Sequence, residues 1–248
     1  MTKIAMIPAR YAATRFPFKL MQLLGNKTVI RHTYDNTVAT GLFDKVYVVT
    51  DHEIIFNEII SHGGHAIMSI REHESGSDRI AEAVMNMDAE IILNVQGDEP
   101  FVKKEPLEDL LKAFQGHAGK DVKVASLMKV FTDKNHVADP NYVKVVTDKN
   151  MNSLLFSRSI IPYRRDETIQ PVHFEHIGVY AFRKQALLQF TKWPVTPLEA
   201  AEKIECLRYL EHGIPLKMIL TDTETVKIDV PADLEKAEAY LRNSKNFI

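Results

Sequence analysis

Short, nearly all-apolar runs alternate with amphipathic stretches through the first hundred residues, and this alternation constrains the fold more than any other feature of the chain. Ile4 to Ile7, Lys45 to Thr50 (KVYVVT), Ala66 to Met68 and Glu90 to Val95 (EIILNV) have strand length, and the third of them follows the Gly63-Gly64 turn. Between them, Thr28 to Thr40, a stretch from Glu53, and a stretch that Ser77 can cap and that runs to about Asp88 carry helical spacing. Strands without a polar face are buried on both sides, and a β-α-β-α order builds a largely parallel sheet covered by helices. The second half is richer in strands: Val122 to Val130, Val143 to Thr147, Ser153 to Phe156, Gly178 to Phe182, Leu216 to Leu220 and Thr225 to Ile228. Helices are expected at Arg183 to Phe190, Glu199 to His212, and from Pro231 to about Leu241. No repeat, low-complexity tract or Gly/Ser linker divides the 248 residues. The reading is therefore one domain, 1–248, with a strand-rich excursion at about 130–185.

Charge and cysteine usage narrow the function classes. Lys plus Arg is 31 and Asp plus Glu is 33, a net charge of −2, which argues against a general nucleic-acid binder while leaving room for a local basic pocket. The single Cys206 excludes an internal disulfide framework and a cysteine-built zinc site, and it suits a reducing compartment. No apolar run approaches the ~18 residues a membrane span needs, and the N-terminal apolar run goes straight into Arg10, unlike a secretion signal. A cytoplasmic protein without membrane insertion is expected.

Ligands of open α/β sheets bind beyond the carboxyl ends of the strands. The first strand opens into Pro8-Ala9-Arg10-Tyr11-Ala12-Ala13-Thr14-Arg15-Phe16-Pro17-Phe18-Lys19. Arg10, Arg15 and Lys19 suit a triphosphate, through charge-assisted contacts, or form a solvated basic loop; spacing leaves both open. The segment has neither the GxxxxGK[ST] phosphate loop nor a GxGxxG dinucleotide turn, which removes most of the weight of P-loop and NAD readings. The strand at 90–95 runs into Asn94-Val95-Gln96-Gly97-Asp98-Glu99-Pro100, where Asp98 is either an Mg²⁺ ligand or part of a Gly-Asp turn. Asp229, in Lys227-Ile228-Asp229-Val230-Pro231, is either a second ligand or a helix cap.

Taken together, these segments resemble the cytidylyltransferases that activate 3-deoxy-D-manno-octulosonate (Kdo). The matching pieces are residues 7–15, Thr50-Asp51, Ser75-Gly76-Ser77-Asp78-Arg79, residues 94–100, Phe156-Ser157-Arg158, His176-Ile177-Gly178-Val179-Tyr180 and Ile228-Asp229-Val230-Pro231. They follow the family's order from end to end, and the first loop and NVQGDEP are the specific parts. The resemblance implies a nucleotide-diphospho-sugar transferase-like (Rossmann-like) three-layer α/β/α fold with a mainly parallel mixed sheet. It implies a nucleotidyltransferase that converts CTP and Kdo to CMP-Kdo and pyrophosphate for lipopolysaccharide biosynthesis. Mg²⁺ and a homodimer come with it, and the excursion then carries sugar binding and dimerisation. By position, Ala9, Arg10, Arg15, Lys19, Ser77, Gln96 and Asp98 fall in the nucleotide site. Gln96, Arg158, His176, Tyr180 and Glu205 fall on the sugar side, Asp98 and Asp229 at the metal, and Arg10, Lys19, Asp98 and Asp229 at the catalytic centre.

The chain departs from the family pattern twice. Phe18-Lys19 stands where the family has Gly-Lys, and Glu205-Cys206 where it has Glu-Gln. Glycine lets backbone approach phosphate closely, so Phe18 bears on where Lys19 sits; thiols hydrogen-bond weakly compared with amides, so Cys206 bears on which sugar acid is taken, 8-amino-Kdo being the foremost alternative. A CTP-binding protein without turnover is a reading from another class. Thr196-Pro197-Leu198-Glu199 fits a capping box, making Glu199 structural. Glu202, Glu205 and Cys206 share one face of the expected helix by i, i+3, i+4 spacing, with Glu202 and Glu205 equally suited to sugar or solvent. His173 and His176 suit polar or structural roles better than zinc, having no third ligand in view.

Overall fold

The computed structural model describes residues 1–12, 16–73, 75–223 and 226–245. The chain forms two compact units, one from residues 1–105 and 224–248, the other from Pro106–Thr223.

The first unit opens with β1 (Lys3–Ala9), a two-stranded ribbon of β2 (Leu23–Leu24) and β3 (Lys27–Thr28), and α1 (Val29–Ala39). It continues through β4 (Lys45–Thr50), α2 (Glu53–Ile60), β5 (Ala66–Met68), α3 (Gly76–Val84) and β6 (Ile91–Asn94). β1 lies between β6 and β4, β5 flanks β4, and all these pairings are parallel. Ala5, Met6 and Ile7 of β1, Val48 of β4 and Ile91 to Leu93 of β6 are fully buried, as apolar runs without a polar face require. Thr28 caps α1 by accepting from the Arg31 N–H. The helix expected from Ser77 is capped instead by Ser75, which accepts from the Asp78 N–H, and it ends at Val84. Ser77 is buried within its first turn.

The second unit takes up most of α4 (Lys104–Lys112), a helix absent from the sequence reading although Leu107, Leu110 and Leu111 bury one face at i, i+3, i+4. It continues through β7 (Val124–Val130), α5 (Lys134–Ala138), β8 (Lys144–Thr147), β9 (Ser153–Ser157), β10 (Phe174–Arg183), α6 (Lys184–Phe190), α7 (Pro197–Glu202), α8 (Leu207–Glu211) and β11 (Lys217–Leu220). β11 pairs parallel with β7, whereas β7–β10, β10–β8 and β8–β9 are antiparallel.

The continuous helix expected over 199–212 is two helices. Lys203 adopts a left-handed conformation (φ 53°) and closes α7. Ile204, Cys206 and Leu207 are all buried. Cys206 then precedes the first turn of α8, so the two helices are separated by Lys203 to Cys206. The chain then returns to the first unit and ends in α9 (Pro231–Lys245). Val226 to Ile228 form no strand, which corrects the expectation for 225–228; Thr225 lies outside the described residues.

Among the described residues no helix is long and apolar enough to cross a membrane.

Candidate active site

A cavity of about 300 Å³ opens in the first unit where β1 and β6 end. Ala9 and Arg10 follow β1 into it, Gln96, Gly97 and Asp98 follow β6, Ser75 and Gly76 come from the start of α3, and Lys19, Lys227 and Asp229 complete its charged side. Parallel strands leave their carboxyl ends on one edge, which is why loops distant in sequence meet there.

Arg79 holds that edge together. Its buried guanidinium donates to the Ala9 carbonyl at 2.5 Å and to Asp51 Oδ2 at 2.8 Å, tying the end of β1 to the end of β4. Burial alone would raise the Asp51 carboxyl; bonds from Arg79 and from the Tyr11 N–H (3.1 Å) outweigh it and hold the group below the usual carboxylate range. Gly97 permits the close approach of the β6 loop, since a Cβ there would lie 3.1 Å from the Pro8 carbonyl oxygen and 3.3 Å from Ile30. The Ile228 N–H donates to the Asp98 carbonyl at 3.0 Å and so brings Asp229 beside Asp98.

Lys19 Nζ sits between the two carboxylates, 2.5 Å from Asp98 Oδ2 and 3.1 Å from Asp229 Oδ1. Lys227 Nζ lies 3.4 Å from Asp229 Oδ2 and 3.9 Å from Asp98 Oδ2. Removal from water would lower the Lys227 ammonium, but Asp98, Asp229 and Glu99 together raise it. Burial, reinforced by the neighbouring Asp98 and Asp229 carboxylates, pushes Glu99 up to about 7. Asp98 Oδ1 is buried and has no hydrogen-bond partner among the described residues. An unpaired carboxylate oxygen out of water is costly unless a cation or donor meets it. Among the described residues no group of three or more His, Cys, Asp or Glu side chains is placed to hold a metal. A pair of carboxylates is nonetheless the donor set Mg²⁺ takes when substrate phosphates supply the remaining ligands.

Phe18 is in the left-handed region (φ 56°), so the glycine usual at this position answers a backbone conformation. Lys19 reaches both carboxylates with Phe18 in place, and the Phe18 ring rests on Tyr11 at 4.6 Å between centroids, with His52 stacked on the other contact of Tyr11 at 3.9 Å.

The structure thus brings Ala9, Arg10, Lys19, Gln96, Asp98 and Asp229 to one cavity. Ser77 is buried in α3 beside the lining residues Ser75 and Gly76, and Arg15 lies outside the described residues. Sequence reasoning passed over Lys227 and Arg79, the alternation of Lys227 and Asp229 being the visible signal for the first; it read His73 as a surface residue, but the His73 side chain lines the cavity, is nearly all buried and bonds through Nε2 to Glu82 at 2.8 Å.

Arg158, His176, Tyr180 and Glu205 belong to the second unit. Arg158 is held by backbone, donating from Nε to the Glu202 carbonyl (2.6 Å) and from Nη1 to that of Pro140 (2.7 Å). Glu202 in turn accepts from the Ser157 hydroxyl (2.6 Å) and the Arg158 N–H (2.8 Å), a structural role in place of the sugar or solvent role left open by sequence. β10 shifts register between Ile177 and Tyr180, and Ser126 Oγ fills the irregularity, 3.1 Å from the Ile177 carbonyl, 2.9 Å from that of Val179 and 2.9 Å from His176 Nε2. The hydroxyl has one proton, for which two carbonyls compete, and this leaves His176 Nε2–H to donate to the hydroxyl oxygen. Removal from water pushes His176 down to about 3. His173 bonds separately, through Nδ1 to the Ile161 carbonyl at 3.0 Å. Burial raises Tyr180 and Cys206, which share a side-chain hydrogen bond, and Glu205 adds to both shifts.

The cytidylyltransferase family profile matches residues 4–244. A 3-deoxy-manno-octulosonate cytidylyltransferase of Flavobacterium johnsoniae is 57% identical, covering 97% of this chain and 98% of its own, and one of Christiangramia forsetii is 54% identical, covering 96% of each. A solved CMP:2-keto-3-deoxy-manno-octonic acid synthetase complexed with CTP superposes with a TM-score of 0.93 at 33% identity, over 98% of this chain and 100% of that one. The fold is accordingly Rossmann-like α/β with a mixed sheet.

Proposed function

The chain belongs to the cytidylyltransferase family, and on that premise we propose that it activates Kdo with CTP. The anomeric 2-hydroxyl oxygen of the sugar acid forms a bond to the α-phosphorus of CTP, the bond from that phosphorus to the bridging oxygen breaks, and pyrophosphate leaves. The hydroxyl proton passes to solvent. The observation that carries the reading is the Asp98–Asp229 pair, gathered around one ammonium at the charged side of a cavity that Arg10 also lines.

Charge develops on phosphate oxygens during this transfer, so fixed cations aimed at them supply much of the stabilisation. Lys19 and Arg10 serve the triphosphate. Ala9 and Gln96 line the nucleotide side, and Arg15 and Ser77 are assigned to it by family position. Asp98 and Asp229 would hold Mg²⁺, to which the unpaired Asp98 Oδ1 is suited. Bound there, the ion supplies Lewis-acid polarisation and lowers the pKa of a bound hydroxyl. We assign Arg158, His176, Tyr180 and Glu205 to the sugar acid by family position. The reading extends to a homodimer in the cytoplasm serving lipopolysaccharide biosynthesis; Leu154, Tyr163, Ile169 and Val172 give the second unit uncovered apolar surface for such an association.

The test is pyrophosphate release with CTP and Mg²⁺, comparing Kdo with 8-amino-Kdo. Release with Kdo, lost in Asp98→Asn while the fold persists, is expected. Release with the amino sugar alone would transfer the reaction to that substrate, and near-normal turnover in Asp98→Asn would remove Asp98 from the metal site.

A further inference from the structure

Lys227 is the charged residue of the cavity that the catalytic assignment leaves without work. It lines the cavity on the segment that carries Asp229, and its side chain keeps 45% of its surface exposed. Its contacts differ from those of Lys19. Lys19 is hydrogen-bonded to both carboxylates at 2.5 and 3.1 Å, whereas the Lys227 contacts are longer, 3.4 Å to Asp229 and 3.9 Å to Asp98. Two ammonium groups therefore balance two carboxylates, one tightly and one loosely.

We propose that Lys227 is a second phosphate-directed cation of this site, which steadies the Asp98–Asp229 pair in the free protein and turns to the triphosphate when nucleotide binds. The inference rests on the nucleotidyltransferase reading above. A lysine that is 45% exposed and lies 3.4 Å or more from its carboxylates gives up that contact more readily than Lys19 does. A charge-assisted bond to a phosphate oxygen is stronger. Lysine suits this change of partner because its charge sits on a flexible stem without a fixed fork geometry. The charge balance holds in both arrangements. In the free protein the lysines neutralise the carboxylates; with nucleotide and divalent ion present, the carboxylates face the ion and the ammonium groups face phosphate. Asp98 Oδ1, buried and unpartnered, is already turned away from either lysine's bond.

Two substitutions separate this role from a structural one. Lys227→Met removes the charge and keeps the length of the stem, while Lys227→Arg keeps the charge. Binding of CTP in EDTA, read by calorimetry, is expected to weaken about tenfold in Lys227→Met and to change less than about twofold in Lys227→Arg. Binding of Mn²⁺ without nucleotide, read by electron paramagnetic resonance, is expected to tighten a few-fold in Lys227→Met, because a competing cation has gone. In turnover assays Lys227→Met should raise KM for CTP more than it lowers kcat. Unchanged metal-free CTP affinity in Lys227→Met, or an equal loss in both variants, overturns the phosphate-directed role. Unchanged Mn²⁺ affinity overturns the steadying of the carboxylates. Failure of the unsubstituted protein to release pyrophosphate from CTP and Kdo would instead refute the proposed reaction, and both binding measurements would still report on Lys227.

Discussion

Replacing Phe18 separates two opposing effects in the loop that carries Lys19. Its backbone is left-handed (φ 56°, ψ 23°), which costs a residue with a Cβ roughly 1–2 kcal/mol. Its ring, 46% exposed as a residue, is offset by the contact with Tyr11 at 4.6 Å, worth about 0.5–1.5 kcal/mol. Phe18→Ala keeps the strain and loses the ring, so it should destabilise by about 1 kcal/mol. Phe18→Gly loses the ring and relieves the strain, but gains unfolded-chain entropy worth about 0.4–1 kcal/mol relative to alanine. Glycine should therefore come out more stable than alanine by about 0.5–1 kcal/mol, close to the parent protein. Urea unfolding followed by circular dichroism measures this. An alanine variant as stable as the glycine variant would refute the argument. Pyrophosphate release should survive in Phe18→Gly, because the contacts that place Lys19 come from Asp98 and Asp229.

Three further outcomes follow from the geometry. Glu199 and Arg208 form a buried two-bond pair at 2.6 Å each, so Glu199→Gln should cost about 3–5 kcal/mol in urea unfolding by removing the carboxylate charge that balances the buried guanidinium, and a double variant with Arg208→Met should recover part of it. His176 is pushed to about 3 in the folded protein and is ordinarily near 6.5, so between those values the unfolded chain binds a proton that the folded chain does not. Its contribution is complete above about pH 6.5 and is lost progressively as pH falls towards 3; unfolding midpoints should drop more steeply over that range in the parent protein than in His176→Gln. Gly97→Ala would set a Cβ 3.1 Å from the Pro8 carbonyl oxygen, so a loss of about 1–3 kcal/mol in thermal unfolding should accompany reduced turnover.

Sequence alone determined the elements whose signals are local. The apolar run KVYVVT became β4 over the same residues, Ala66–Met68 became β5, and the helix expected over Thr28 to Thr40 became α1, Val29–Ala39, because side-chain period acts within a few residues. It also marked Asp98 and Asp229 as candidates, since both follow strand-like stretches, while spacing left Asp98 evenly divided between ligand and turn and favoured a cap role for Asp229. Tertiary structure decided what required distant partners. The left-handed Lys203 breaks the helix expected over 199–212 in a segment where Ile204, Cys206 and Leu207 are all buried, a break that helical spacing along the chain does not reveal. Glu202 became a structural acceptor only once Ser157 and Arg158 were beside it. Likewise, Lys227 joined the site because one backbone bond, from the Ile228 N–H to the Asp98 carbonyl, lays its segment against the β6 loop. Coulomb attraction and hydrogen bonding act over a few ångströms, so which charges meet is settled by the packing of the chain and not by their order along it.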